Sequence, residues 1–167
     1  MNKCVFLDRD GTINVDKGYL YLPSDLEFIS GVPEALKTIK NKGFLLIVIT
    51  NQSGVARGKY TISDIDVFHN EINRQLIALG SVPIDAYYTC PHHILGTISP
   101  YNIECNCRKP SPTLVFKAAS DHFIDLKASY MIGDKDSDIE LGRQAHLKSA
   151  FKVTDRKTIM DFVNEII

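Results

Sequence analysis

An α/β sandwich built on a central parallel sheet is the fold the sequence predicts, and three observations carry that expectation. The short apolar runs are continuous rather than alternating, as in strands covered on both faces. Amphipathic stretches with helix start and stop residues lie between them. Polar clusters directly follow the apolar runs, where open α/β sheets place their ligands.

The elements follow in chain order. Cys4–Leu7 and Phe44–Ile49 are the clear strands, each an unbroken apolar run rich in branched residues. Between them Val32, Leu36 and Ile39 share one helical face, Pro33 fits a first helical position, and Gly43 can end the helix. A second helix opens at Thr61 with Asp64 in a capping arrangement, although Glu or Gln is the usual partner there. Ile65, Phe68, Ile72 and Leu79 recur at helical spacing, and Gly80 closes the pattern. Ala86–Thr89, Ser129–Ile132 and Lys148–Val153 are weaker strands. Further helices are expected at Thr113–Phe123, Ser137–Ala145 and Arg156–Ile166. Strand and helix alternating through right-handed crossovers make one domain over residues 1–167.

Hydrophobic residues make up 44% of the chain and charged residues 23%, the balance of an ordinary globular protein. The formal net charge is -1, so no basic excess points to nucleic acid. No apolar run approaches the ~20 residues of a membrane-spanning helix. Met1-Asn2-Lys3-Cys4 leads into the first strand without a leader cleavage site. The expectation is a cytoplasmic monomer with neither nucleic acid nor membrane as partner. In that compartment the cluster of Cys90, Cys105 and Cys107 with His92 and His93 suggests a metal rather than disulfides. Cys4, in the first apolar run, reads as a buried thiol.

The chemistry should sit where Asp8-Arg9-Asp10-Gly11-Thr12, Thr50-Asn51-Gln52-Ser53-Gly54 and Gly133-Asp134-Lys135-Asp136-Ser137-Asp138 follow their strands, with Arg108-Lys109-Pro110 before a helix. Asp8 and Asp10 are two apart and fall on one side of an extended backbone, with Arg9 pointing away. Two carboxylates so placed repel unless a cation or a proton intervenes. Asp134 can bring a third, and oxygen ligands with open positions suit Mg²⁺. Asp136 and Asp138, each taken alone, read as helix caps. The set fits phosphoryl transfer, which needs positioning and charge neutralisation. Asp8 would attack phosphorus to form an aspartyl-phosphate, and Asp10 would be the proton donor and acceptor. Thr50 would bond a phosphoryl oxygen, and Lys109 would balance the negative charge.

These residues resemble the haloacid-dehalogenase-like (HAD) phosphatase superfamily in four motifs: Asp8 through Thr12, Thr50-Asn51, Lys109, and Gly133-Asp134 through Asp138. The resemblance implies a HAD-like, Rossmannoid three-layer α/β/α sandwich. It also implies Mg²⁺ held by the Asp8 and Asp134 carboxylates and the Asp10 backbone carbonyl. Longer stretches are similar to the D-glycero-D-manno-heptose 1,7-bisphosphate 7-phosphatase family: Phe6 to Tyr19, Phe28 to Val32, Thr50 to Gly58, Cys90 to His93, Cys105 to Pro110, and Ser129 to Lys135. That similarity implies a small phosphosugar substrate, with bacterial surface polysaccharide as the destination. It assigns substrate contacts to Asp16, Lys17, Gly18, Tyr19, Asn51, Gln52 and Ser53, recognition to Arg108, and the substrate side of the site to Lys135. It selects His92 over His93, giving a structural Zn²⁺ site of Cys90, His92, Cys105 and Cys107.

Because Arg108 and Lys109 follow Cys107, a zinc clamp would hold both cations in place. The segments Gly11–Phe44 and Arg57–Asp85 leave no room for a cap domain, so the zinc loop and the Asp16–Tyr19 loop must shape the pocket. The chain departs from the family in Pro110-Ser111-Pro112-Thr113, which lacks a glycine, in Ile94-Leu95-Gly96, which lacks a proline, and in Ala145-His146-Leu147, which lacks an Ala-Gly pair. Histidinol-phosphate phosphatases share the motifs and the Cys/His cluster, but have a shorter zinc loop and lack the Ala56-Arg57-Gly58 stretch. A phospho-accepting signalling domain places its acceptor after a middle strand, and an inactive zinc scaffold has no need of the gathered charges.

Overall fold

The computed structural model describes residues 1–166. Five strands, β1 (Lys3–Leu7), β2 (Phe44–Asn51), β3 (Ala86–Cys90), β4 (Tyr130–Gly133) and β5 (Ser149–Lys152), form one parallel sheet in the order β3-β2-β1-β4-β5. The helices are α1 (Val32–Asn41), α2 (Ile62–Ala78), α3 (Thr113–His122), α4 (Asp136–Gln144) and α5 (Ile159–Ile166).

The continuous apolar strands are explained by burial on both sides. Val5, Leu7, Leu46 and Val48 pack into one layer with residues of α1, α2 and α5. Their neighbours Cys4, Phe6, Ile47 and Ile49 pack into the other, with residues of α3 and α4. This is the three-layer sandwich expected. Each of the larger side chains contributes roughly 1.5–3 kcal/mol by burial, so both faces depend on an unbroken apolar sequence.

Helix boundaries follow local chemistry. At the start of α2 Asp64 serves as well as Glu would: its Oδ2 accepts from the Thr61 N–H at 2.7 Å, and Thr61 Oγ1 accepts from the Asp64 N–H at 3.2 Å. The buried stripe of α2 differs from expectation at its end. Leu76 completes the face with Ile65, Phe68, His69 and Ile72, whereas Leu79 is exposed. The helix stops at Ala78, so Leu79 has left the helical path that would have carried it inward. The last helix begins at Ile159 rather than Arg156, where Asp161 Oδ2 accepts from the Thr158 N–H at 2.7 Å.

The chain leaves β1 for β2 and β3 on one side of the sheet, then returns to β4 and β5 on the other. The gap beyond β1 and β4 is therefore the switch point at which such sheets bind ligands. Asp8 extends the ladder there, its N–H donating to the Ile132 carbonyl at 2.9 Å. A short 3-10 turn and α1 join β1 to β2, and α2 joins β2 to β3, so no inserted cap covers the gap among the described residues. No helix among them is long and apolar enough to cross a membrane.

Candidate active site

Four segments meet beyond the carboxyl ends of the strands. They line a cavity of about 320 Å³ with Asp8, Asp10, Thr50, Asn51, Ser53, Arg108, Lys109, Lys135 and Ser137. That volume is at the small end for ligand pockets and suits a single sugar-sized molecule.

Lys109 is the hub. It is buried, and its ammonium lies 2.7 Å from Asp8 Oδ1 and 2.6 Å from Asp138 Oδ1 while donating to the Ile49 carbonyl at 3.0 Å. Those contacts match the three donors of an ammonium. Burial lowers the Lys109 pKa, but the charges of Asp8 and Asp138 outweigh it and hold it above the usual lysine value. Asn51 grips the Lys109 peptide from both sides: its Oδ1 accepts from the Lys109 N–H at 3.0 Å and its Nδ2 donates to the Lys109 carbonyl at 3.4 Å. Asn51 thus positions Lys109 as well as facing the cavity.

Asp138 is the residue that sequence reasoning undervalued. It does cap α4, its Oδ2 accepting from the Lys135 N–H at 3.0 Å, but it is also fully buried against Lys109. Gly133 makes this possible, because a Cβ there would lie 2.3 Å from Asp138 Cγ. The available signal was position, since Asp138 stands at the third residue of a helix that starts just after β4, the strand that ends at Gly133 and leads into Asp134. Asp136, expected as a cap, is instead the first residue of α4, and its carboxylate pairs with Lys152 at 2.5 Å at the surface.

Three carboxylates, Asp8, Asp134 and Asp138, bring oxygens within 4.8 Å of one another. One buried ammonium, shared by Asp8 and Asp138, faces all three, so negative charge is left in excess and Asp134 has no part in that ion pair. Asp134 Oδ1 is buried without a partner, and burial followed by the Asp8 charge pushes the Asp134 carboxyl up to about 6. Gly11 lets it approach: its φ is +83°, and a Cβ would stand 2.6 Å from Asp134 Oδ2. A dense, unsatisfied oxygen pair fits a hard divalent cation.

Asp10 faces the cavity too, but the expected repulsion from Asp8 is relieved differently. Arg9, fully buried, turns back on it: Nε donates to Asp10 Oδ1 at 3.0 Å and Nη2 to Oδ2 at 2.8 Å. Asn14 and Gln52 add donors at 3.0 and 2.9 Å. Burial raises the Asp10 pKa, yet Arg9 and these hydrogen bonds bring the net below the usual carboxylate value. Gln52 also donates to Thr50 Oγ1 at 2.9 Å and accepts from the Tyr60 hydroxyl at 2.6 Å. Since Thr50 Oγ1 accepts from Gln52, its own proton is free to donate into the cavity.

The remaining expected site residues divide. Ser53, Arg108 and Lys135 lie at the cavity wall. Gln52 is buried behind Thr50 and does not line it. Lys17 turns away to Glu27, at 2.9 Å, and Gly18 donates to Asp16 Oδ1 at 2.9 Å in a local turn. Asp16 lines a neighbouring depression beyond Asp134, and Tyr19 is exposed with the Lys59 ammonium over its ring. The structure does not bring Asp16 to Tyr19 to the cavity wall.

Cys90, His92, Cys105 and Cys107 converge, with ligand atoms all within 4.8 Å. Cys90 Sγ lies 3.6 Å from Cys105 Sγ and 2.9 Å from Cys107 Sγ, and His92 Nδ1 lies 3.3 Å from Cys107 Sγ. Tetrahedral Zn–S bonds of ~2.3 Å require edges of about 3.8 Å, so the set needs only small adjustments. Burial pushes the Cys90 and Cys107 thiols up, whereas at Cys105 backbone and thiol donors overcome burial and lower it. His93 stands outside the cluster, its ring beside the Arg57 guanidinium.

A parallel sheet with this charge hub at its switch point defines a HAD-type hydrolase. A HAD-hydrolase-like family model matches residues 106–159, which hold Lys109, Asp134 and Asp138. The chain is 42% identical over 155 residues to D-glycero-beta-D-manno-heptose-1,7-bisphosphate 7-phosphatase of Escherichia coli, covering 93% of this chain and 81% of that protein. It is 43% identical over 148 residues to the protein of the same name in Helicobacter pylori, covering 89% and 82%. The fold is also that of D,D-heptose 1,7-bisphosphate phosphatase from B. bronchiseptica, solved with magnesium and phosphate. That comparison has a TM-score of 0.83 at 24% identity and covers 98% of this chain and 97% of the other. The chain belongs to the D-glycero-beta-D-manno-heptose-1,7-bisphosphate 7-phosphatase family of HAD phosphatases.

Proposed function

We propose that residues 1–167 form one phosphatase domain that removes the C7 phosphate of D-glycero-D-manno-heptose 1,7-bisphosphate through an aspartyl-phosphate on Asp8. The observation that carries this reading is the buried Lys109 shared by Asp8 and Asp138, beside an Asp134 oxygen without a partner. It sets a carboxylate at the cavity wall beside a demand for further positive charge, which is what the proposed attack requires.

An Asp8 oxygen forms a bond to phosphorus as the ester P–O bond breaks, and Asp10 gives the leaving oxygen its proton. Water then attacks phosphorus, Asp10 takes the proton, and the bond to Asp8 breaks. Arg9 keeps Asp10 ionised at rest, which suits the second half. A phosphate arriving beside Asp10 disfavours its charge and supplies the protonated form for the first half. Thr50 donates to a phosphoryl oxygen, and Lys109 offsets the charge gathered at Asp8. Mg²⁺, held by the Asp8 and Asp134 carboxylates and the Asp10 backbone carbonyl, would neutralise nucleophile and phosphate and polarise the phosphoryl group. Zn²⁺ on Cys90, His92, Cys105 and Cys107 would keep Arg108 and Lys109 in place.

The rim supports a bisphosphate. Arg108 and Lys135 place two cations at the wall, which favours a second phosphate and disfavours the ammonium of histidinol phosphate. The test is phosphate release from heptose 1,7-bisphosphate and histidinol phosphate. A higher kcat/KM for the heptose is expected. Preference for histidinol phosphate reassigns the substrate, and release from neither overturns the reading.

A further inference from the structure

We propose that His69 is a positioning residue for this reaction: from α2 it holds the Arg9 guanidinium, which in turn fixes the orientation of the Asp10 carboxylate at the cavity. The inference rests on the acid–base role given to Asp10 above.

Arg9 is fully buried, yet only part of its guanidinium faces Asp10. The rest is held by three other groups. Nη2 donates to the Leu20 carbonyl at 3.0 Å, the Phe68 ring lies 4.7 Å from Cζ, and His69 Nε2 lies 3.4 Å from Nη1. A guanidinium can only donate, so His69 must present a bare Nε2 and carry its proton on Nδ1. Burial and the Arg9 charge agree with a neutral ring, pushing the His69 pKa down to about 3.

The imidazole is itself fixed from behind. It stacks on Tyr87 of β3, with ring centroids 4.0 Å apart and planes inclined by 13°. The Tyr87 hydroxyl donates to Asn73 Oδ1 at 3.0 Å, and the same oxygen accepts from the Ile84 N–H at 2.9 Å. A continuous set of contacts thus runs from the backbone before β3, through Asn73, Tyr87 and His69, to Arg9 and Asp10. Without the imidazole acceptor, Arg9 Nη1 has a buried proton to satisfy and its plane is free to tilt. Both hydrogen bonds from Arg9 to Asp10 then shift.

p-Nitrophenyl phosphate separates this role from a purely structural one, because its leaving group needs no proton. Formation of the phosphoenzyme should be intact and its hydrolysis slowed. In His69→Phe, which keeps the stacked ring and removes the acceptor, kcat should fall on the order of tenfold while kcat/KM stays within about twofold. A nitrophenolate burst of about one per active site should accompany it, as expected when a covalent intermediate accumulates. His69→Gln, which restores an acceptor, should recover kcat to within about threefold. Equal losses of kcat and kcat/KM without a burst, or wild-type kinetics in His69→Phe, overturn the inference. Asp10→Asn is run beside it. Normal turnover there defeats the acid–base reading itself, whereas a crippled Asp10→Asn with unaffected His69→Phe defeats only the role of His69. If the Phe variant does not fold, the long-range ¹⁵N imidazole spectrum of the wild-type protein decides. A neutral Nδ1–H tautomer at His69 supports the assignment, and an Nε2–H or imidazolium form overturns it.

Discussion

The backbone N–H of Gln52 donates to the carbonyl of Cys90 at 2.8 Å, so the segment that carries Thr50 and Asn51 is one hydrogen bond from the first cysteine of the Cys/His cluster. The last cysteine, Cys107, is followed directly by Arg108 and Lys109. The cluster therefore touches the cavity wall at both of its ends.

Stripping the cluster should loosen both ends together. With a zinc chelator, or in Cys107→Ser, Tm should fall by on the order of 10 °C, and KM should rise. Thermal scans and initial rates at saturating Mg²⁺ check this. Unchanged stability and KM after verified zinc loss contradict the clamp.

Asp8→Asn should lower turnover by on the order of 10³-fold or more, with circular dichroism and Tm close to wild type. Near-normal turnover with the fold and metal intact removes the aspartyl-phosphate from the mechanism.

Asp138→Ala should cost more stability than a surface change, because the residue is fully buried against Lys109. It takes away one of the two carboxylates that hold the buried Lys109 ammonium and the cap on the Lys135 N–H, and losing such charged hydrogen bonds costs about 1.5–3 kcal/mol. Urea unfolding measures it. A loss below ~1 kcal/mol, the usual limit for exposed ion pairs, would show that the pair is not buried in solution.

The Asp134 carboxyl gives a pH dependence in Mg²⁺-free buffer. Its folded pKa of about 6 lies above the ordinary 3.8, so the folded state binds the extra proton between those values. The stabilising effect of Asp134 relative to Asp134→Asn is thus full below pH 4 and declines as pH rises toward 6. Paired urea titrations from pH 4 to 7 should show that decline, and saturating Mg²⁺ should abolish it. A gap that widens with pH in Mg²⁺-free buffer contradicts the assignment.

The sheet was legible where burial on two faces forced a continuous apolar run, as in Val5 to Leu7 and Leu46 to Ile49. It was faint at β3, where Ala86 to Thr89 are only half-buried at the edge and can afford Tyr and Thr. Leu79 misled because periodicity does not say where a helix stops. Within the site, motif residues were readable because their chemistry is polar and their spacing local. Asp138 was concealed by having two roles, one of which, the cap, explained it sufficiently. Gln52 was concealed in the opposite way: next to Asn51 and Ser53 it reads as a ligand contact, yet its amide is taken up by Thr50, Tyr60 and Asp10, partners that local spacing does not show. His69 had no motif to announce it, since its partner Arg9 is sixty residues away in the chain.

The three acceptors around Lys109 also restrict what charge carrier position 109 accepts. Asp8, Asp138 and the Ile49 carbonyl surround a single nitrogen, a geometry for a compact point charge on a thin stem. Arginine would bring a flat fork of five N–H groups to a niche with room for one tetrahedral head. Preserving the charge while changing its shape would push Asp138 off the Gly133 backbone, so at this position the isoelectric replacement is a steric one.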